Sequence, residues 1–186
     1  MGKRLSKIVT RTGDDGTTGM ADGARLDKYS DRVEAIGTVD ELNSFVGAFL
    51  TAMPREVELW PLFRAIQNDL FDLGGELSMP GVEVITPAHW GRLEEAIERF
   101  NEHLDPLTNF ILPGGSEVVS RCHLVRAVAR RAERRYARLA ANESVNAHSR
   151  IYLNRLSDLC FVAGRWLAKV NDEPEVLWQQ NKPESK

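Results

Sequence analysis

Apolar residues that recur every three or four positions constrain this chain more than any other feature. The pattern begins near residue 31 and continues, in five separate stretches, to about residue 170. Because one turn of an α-helix takes about 3.6 residues, this spacing places the apolar side chains of each stretch on one helical face. Nothing in the chain alternates strands with helices in the way that a parallel sheet requires. We therefore predict an all-α fold, an up-and-down bundle of five helices.

The predicted helices cover residues 31–53, 55–78, 86–100, 117–141 and 147–170. Asp31 is a plausible cap of the first helix, and Thr86 followed by Pro87 is a typical helix start. Residues 1–30 are rich in glycine and hydroxyl groups, with one β-prone run at 7–10, and predict an ordered arm. Residues 171–186 predict a polar tail that contains Trp178. With 186 residues in total, we expect one domain made of arm, bundle and tail.

Charge and hydropathy exclude several classes of partner. The chain has 24 Lys and Arg against 27 Asp and Glu, so no overall positive field attracts nucleic acid or anionic lipid. No apolar run reaches the roughly 18 residues of a membrane span, and residues 1–30 lack the apolar middle of a secretory signal. We therefore expect a cytoplasmic protein, although loss of an organellar leader stays open. Cys122 and Cys160 are too few for a zinc site or a disulfide framework.

The glycine-rich arm is the first candidate binding site. Residues 10–19 read TRTGDDGTTG, and Lys28 follows. Backbone N–H groups, hydroxyls and nearby cations can surround an anion, because glycine permits close approach. The segment matches neither a Walker A loop nor a dinucleotide-binding loop. On this segment alone, a flexible, turn-rich terminus is the favoured interpretation.

The predicted fourth helix carries the second candidate site. Seven arginines and one glutamate lie between positions 121 and 138. On a helix, Arg126, Arg130, Glu133 and Arg134 form one row away from the apolar stripe. Guanidinium groups match phosphate oxygens, so this row suits a triphosphate. A solvated face with salt bridges and a nucleic-acid-binding helix both stay open, the latter weakened by the acidic total and the lack of interleaved aromatics.

Polar residues within the first and fifth helices form a third group. Asn is a poor residue for a helix interior, so Asn154 either has a use or is simply exposed. It falls in one row with Asp158, Phe161 and Arg165. Asp40 and Asn43 lie beside an apolar seam, where a carboxylate needs an arginine partner and an amide needs hydrogen bonds. Structural pairing is the more frequent outcome for such residues.

Other chemistries find no support in the sequence. No Glu is followed three residues later by His, so the motif of di-iron bundles is missing. The four histidines show no metal-ligand spacing, and we predict no protein metal site. Ser, Cys and His show no signature of a nucleophile.

Five motifs together resemble the PduO-type ATP:cob(I)alamin adenosyltransferases. They are TRTGDDGTT at 10–18, VDELNS at 39–44, FILPGG at 110–115, RAVARRAERR at 126–135 and NRLSDL at 154–159. The resemblance implies a five-helix bundle that forms a homotrimer and binds ATP and cobalamin between neighbouring subunits. It also implies transfer of the 5′-deoxyadenosyl group of ATP to cob(I)alamin, with release of triphosphate. Mg²⁺ would accompany the phosphates, and a reductase and an adenosylcobalamin-dependent enzyme are possible partners.

The resemblance further implies roles for individual residues. Phe110 would occupy the lower face of the corrin and displace its axial base, which leaves a four-coordinate Co(II) that is easier to reduce. Arg126 would pair with Asp40 across the subunit boundary, and Arg130 would act on the phosphates. The residues implied to hold ATP are Thr10, Arg11, Thr12, Gly13, Thr18, Lys28, Arg130, Arg131, Ala132, Glu133, Arg134 and Asn154. An RNA-binding helical protein and a catalytically silent carrier of ATP or corrinoid are the alternatives.

Overall fold

The computed structural model describes residues 8–180. The prediction of an all-α, five-helix fold is confirmed. Two short antiparallel strands precede the helices and pair with Thr18 opposite Leu26. The elements in chain order are β1 (Thr17–Gly19), β2 (Arg25–Asp27), α1 (Asp31–Thr51), α2 (Leu59–Ser78), α3 (Pro87–Asn101), α4 (Glu117–Ala140) and α5 (Ala147–Val170).

The bundle is built on α1, α4 and α5. Helix α1 packs against α2 and α4, and α5 packs against α4 and α3. The start of α1 lies beside the end of α4, because Arg138 binds Asp31 at 2.8 Å and Arg135 binds Glu34 at 3.1 Å. The apolar faces predicted from helical spacing meet in one core. None of the helices formed by residues 8–180 is long and apolar enough to cross a membrane.

Helix ends differ from the sequence prediction around Pro54. Helix α1 ends at Thr51 instead of 53, and α2 begins at Leu59 instead of 55. Proline disfavours helical backbone at the residue before it, so α1 stops before Pro54. The chain then turns, with the Val57 N–H donating to the Pro54 carbonyl at 3.2 Å.

The arm is a small hairpin at the end of the bundle where α1 begins. The β-prone run at 7–10 is not a strand at residues 8–10, and Lys7 lies outside the described residues. The strands are β1 and β2 instead. Met20 is buried, and the Ala21 N–H donates to the carbonyl of Ser78 at the end of α2 at 3.1 Å. The hairpin is thereby attached to α2.

The tail is more ordered than its polar composition predicts. Residues 171–180, here called the C-terminal strap, run alongside the connection between α3 and α4. Ile111 and Leu177 form an antiparallel bridge, and the Leu112 N–H donates to the Val176 carbonyl at 2.8 Å. The strap therefore lies at the end of the bundle where α4 begins and α5 ends.

Candidate functional site

The glycine-rich segment of the arm is a tight turn held by two cationic side chains. The Lys28 ammonium donates to the Gly13 carbonyl at 2.7 Å. The Arg25 guanidinium donates to the Thr12 carbonyl and, through Nε at 3.0 Å, to the Thr17 hydroxyl. Sequence reasoning missed Arg25, since its role depends on the hairpin that brings it back to Thr12.

Gly13 lies where the turn packs closely against Thr17 and Lys28. A Cβ at Gly13 would lie 3.0 Å from the Thr17 carbonyl oxygen and 3.2 Å from Lys28 Nζ, so a side chain there would have to displace one of these groups. Arg11 adopts a positive φ of 60°. The Thr17 N–H donates to Asp15 at 2.9 Å and lowers the pKa of that carboxyl group. These contacts favour an ordered loop over a flexible terminus.

Six of the seven arginines of α4 divide into two groups with different surroundings, while the seventh, Arg121, pairs with Glu117 on the same helix. Arg131, Arg135 and Arg138 form ion pairs with Glu41, Glu34 and Asp31 of α1. No carboxylate of residues 8–180 forms an ion pair with Arg126, Arg130 or Arg134. The second group is the predicted row, so the structure separates cations neutralised by α1 from cations that still need an anion.

Glu133 and Asn154 join the arginine row to α5. The Asn154 amide donates to Glu133 Oε1 at 3.0 Å, and Arg155 donates to Asn154 Oδ1 at 2.7 Å. The amide of Asn154 therefore has a fixed orientation beside the row. Removal from water raises the pKa of the neighbouring Asp158, and the charge of Glu133 adds to the rise against the opposing charge of Arg155.

Asp40 and Arg126 form no ion pair with each other within one chain. Asp40 is exposed and forms no ion pair with another residue of 8–180. Arg126 Nε is buried and has no hydrogen-bond partner in the described part of the chain. A pair between these residues across a subunit boundary stays a prediction. Asn43 is paired structurally, since its amide donates to the Gln67 carbonyl at 3.1 Å.

The side chains of three other residues singled out in the sequence contact groups within the chain. The side chain of Ala132 is buried in the core at 1 % exposure, so it does not face a ligand. Arg131, which the resemblance implies to hold ATP, forms an ion pair with Glu41 of α1. Arg165 is buried, with its Nε donating to Glu175 at 2.7 Å.

Phe110 is an exposed aromatic residue at the other end of the molecule from the arm. It is 78 % exposed and contacts Trp178 of the strap. The arm adjoins the end of α4, whereas Phe110 lies near its start, roughly 36 Å away along a helix of 24 residues. No hydrogen bond or ion pair joins residues 8–30 to α4. Within one chain, the arginine row therefore lies beside Asn154 but forms no hydrogen bond or ion pair with residues 8–30 of the arm.

The fold and the site define a class of protein. It is a helical bundle whose fourth helix carries guanidinium groups beside an oriented amide, a set of donors that suits phosphate oxygens. Residues 8–180 contain no group of three or more His, Cys, Asp or Glu side chains that could hold a metal ion.

Comparison with known proteins identifies the family. The sequence profile described as "Cobalamin adenosyltransferase" matches residues 8–167, so the chain belongs to the cobalamin adenosyltransferase family. A cobalamin adenosyltransferase from Cupriavidus metallidurans is 48 % identical over 98 % of this chain and 99 % of its own length. The corrinoid adenosyltransferase PduO of Salmonella typhimurium is 42 % identical over 85 % of this chain and 48 % of its own length.

A solved structure agrees with this assignment. It is a variant of a PduO-type ATP:corrinoid adenosyltransferase from Lactobacillus reuteri complexed with cobalamin and ATP. Its TM-score is 0.88 at 34 % identity, over 94 % of this chain and 100 % of that chain. The predicted resemblance to the PduO-type family is confirmed.

Proposed function

We propose that this protein transfers the 5′-deoxyadenosyl group of ATP to the cobalt of cob(I)alamin, giving adenosylcobalamin and triphosphate. The observation that carries the proposal is the row of Arg126, Arg130 and Arg134, which lacks carboxylate partners in the described chain and lies beside the oriented amide of Asn154. Family membership indicates the reaction. The row supplies the positive charge that the leaving triphosphate needs.

The chemistry requires alignment and charge stabilisation rather than a protein nucleophile. Cob(I)alamin attacks the 5′ carbon of ATP, so a cobalt–carbon bond forms while the carbon–oxygen bond to the triphosphate breaks. The triphosphate leaves with the electron pair of that bond. Guanidinium groups of Arg130 and Arg134 would stabilise the negative charge that develops on the leaving group. Asn154, fixed by Glu133, would help to hold the nucleotide in line for attack.

The complete site would need a neighbouring copy of the chain. We propose a homotrimer in which one subunit supplies the arginine row and Phe110, and its neighbour supplies the arm and Asp40. The buried Nε of Arg126 needs an acceptor, and Asp40 of the neighbour would provide one. Asp40 also borders an apolar groove between α1 and α2, beside Phe71, which is 75 % exposed. An exposed apolar surface of this kind is typical of a subunit interface.

The arm of the neighbour would bind the phosphates through residues that the hairpin already orders. Thr10, Arg11 and Thr12 are exposed and could contact the phosphates. Gly13 would let the backbone of the turn lie close to the phosphates, and Lys28 holds the turn through the Gly13 carbonyl. Thr18 lies on β1, behind this turn. Mg²⁺ would be held mainly by the triphosphate oxygens, because this cation needs only one or two protein carboxylates when phosphates are present.

Phe110 would act on the corrin before the transfer. Its exposed ring would occupy the lower face of cob(II)alamin in place of the axial base. Reduction of the resulting four-coordinate cobalt is easier because no axial ligand electrons oppose filling of the cobalt orbital. A reductase would supply the electron, and an adenosylcobalamin-dependent enzyme would receive the product, in the cytoplasm.

Replacement of Arg130 tests the phosphate role. We expect Arg130→Ala to lower kcat by about 10²–10³, because it removes one donor to the leaving triphosphate. Arg135→Ala is the matched control, since Arg135 lies on the same helix but binds Glu34 of α1. Adenosylcobalamin formation from chemically reduced cobalamin, ATP and Mg²⁺ is followed by absorbance. Equal activity of Arg130→Ala and Arg135→Ala would rule out the phosphate role.

A further inference from the structure

We infer that the C-terminal strap positions Phe110, and that Trp178 is the residue that holds the Phe110 ring in place. The inference rests on the proposed function, in which Phe110 occupies the lower face of the corrin. Phe110 lies in the connection between α3 and α4, outside every helix, and is 78 % exposed. Neither a helix nor the core therefore fixes its ring.

The strap binds the backbone carbonyl of Phe110 directly, and the Asn109 side chain links the Phe110 N–H to the strap. The Trp178 N–H donates to the Phe110 carbonyl at 2.7 Å. The Phe110 N–H donates to Asn109 Oδ1 at 2.8 Å, and the Asn109 amide in turn donates to the Trp178 carbonyl at 2.7 Å. These three hydrogen bonds tie the loop to the strap at one point. They limit the backbone freedom that an irregular loop otherwise has.

The two aromatic rings meet edge to face. Their centroids are 6.3 Å apart and their planes form an angle of 74°, a favoured geometry for an aromatic pair. Because Phe110 stays 78 % exposed beside Trp178, Trp178 covers only a small part of the Phe110 surface. The contact restricts the orientation of the Phe110 ring while most of that ring stays available to a flat ligand.

The strap is rigid enough for this task because the bundle anchors it. The buried guanidinium of Arg165 on α5 donates to Glu175 at 2.7 Å and to the Asp105 carbonyl at 2.8 Å. The Ser116 N–H, at the start of α4, donates to Glu173 Oε2 at 2.7 Å. The strap is thus fixed to α5, to the loop and to α4 before it reaches Trp178.

The test compares Trp178→Ala with two other strap variants. Trp178→Phe keeps an aromatic ring, and Leu177→Ala removes an adjacent side chain that is also 40 % exposed. Side chains alternate sides along an extended chain, so Leu177 does not share the side of Trp178. Each variant is assayed for ATP affinity, for the absorbance of bound four-coordinate cob(II)alamin, and for adenosylation from cob(II)alamin with a chemical reductant and from pre-reduced cob(I)alamin.

We expect Trp178→Ala to slow adenosylation from cob(II)alamin by about tenfold to a hundredfold, the size of effect that misplacement by about 1 Å can have. The four-coordinate absorbance should weaken, while ATP affinity and the rate from cob(I)alamin should change far less. Trp178→Phe should restore most of the loss, and Leu177→Ala should behave like the unsubstituted protein. Asn109→Ala, which keeps Trp178 but removes the amide bridge, should show the same pattern as Trp178→Ala.

A double variant separates this inference from the proposed function. If Trp178 acts through Phe110, Trp178→Ala has no further effect in a Phe110→Ala background. Additive effects, or an unchanged four-coordinate absorbance in both Trp178→Ala and Asn109→Ala, would overturn the positioning role alone. If Phe110→Ala leaves the cob(II)alamin rate unchanged, the role proposed for Phe110 fails as well.

Discussion

At the scale of single residues, two glycines show how neighbours decide what a position accepts. Gly164 lies inside α5, where glycine is unfavourable, and sequence reasoning found no purpose for it. In the structure, a Cβ at Gly164 would lie 3.4 Å from the ring of His123 on α4. Burial lowers the pKa of His123, and the charge of Arg126 lowers it further, so the ring packs there in its neutral form. The 3.4 Å separation is an ordinary van der Waals distance, so the ring approaches α5 here without excluding a methyl group.

At Gly115, both the backbone conformation and the close neighbours disfavour a side chain, which leads to a prediction about stability. Its φ is +113°, and a Cβ would lie 3.1 Å from both Val119 Cγ1 and Glu173 Oε2. We expect Gly115→Ala to lower the free energy of unfolding by about 1–3 kcal/mol, because it strains the backbone and displaces Glu173. Gly114→Ala is the control, since nothing lies within 4 Å of its Cβ position. Thermal unfolding compares the two; equal melting temperatures would contradict the strain.

At the scale of elements, one buried carboxylate joins α2 to α5. Glu76 accepts from the N–H groups of Val84 and Ile85 at 2.7 and 3.1 Å, and from the Asn146 amide at 3.0 Å. The Ser149 hydroxyl also donates to it. The connection from α2 to α3 and the start of α5 therefore share one acceptor.

Removal of this acceptor should destabilise the bundle. We expect Glu76→Ala to lower the free energy of unfolding by more than about 3 kcal/mol, since several buried donors lose their partner. Glu58→Ala, which breaks an exposed ion pair with Arg99, should cost less than about 1 kcal/mol. Urea denaturation of both variants measures the difference. A Glu76→Ala loss as small as that of Glu58→Ala would show that the network contributes little.

The elements differ in how well sequence predicts them. The helices could be predicted because their apolar residues repeat within each stretch, a local pattern. The hairpin could not, because its strands are only three residues long and show no clear alternation of apolar and polar residues. The strap could not, because it depends on partners elsewhere in the chain. Residues 171–180 look polar and unstructured in sequence, yet the buried Arg165 and the backbone of Phe110 bind them. Nothing local in the strap indicates those partners.

At the scale of the whole molecule, the sequence predicted which residues belong to the candidate site but not how they are arranged in space. Motif resemblance pointed to the arm, the arginine row and Phe110. It did not show that α1 neutralises Arg131, Arg135 and Arg138, because the packing of α1 against α4 is a tertiary contact. It also did not show that the core buries Ala132. The single chain leaves the arm at one end of the bundle and Phe110 at the other.

The central claim is that the arm of one subunit and the arginine row of another bind the same ATP. Co-expressed Arg11→Ala and Arg130→Ala chains, carrying different tags, test it in purified mixed oligomers. Each variant alone should be nearly inactive. A mixed trimer should recover about a third of full activity, because one of its three sites combines an intact arm with an intact row. Mixed trimers that form but stay as inactive as either parent would contradict the claim.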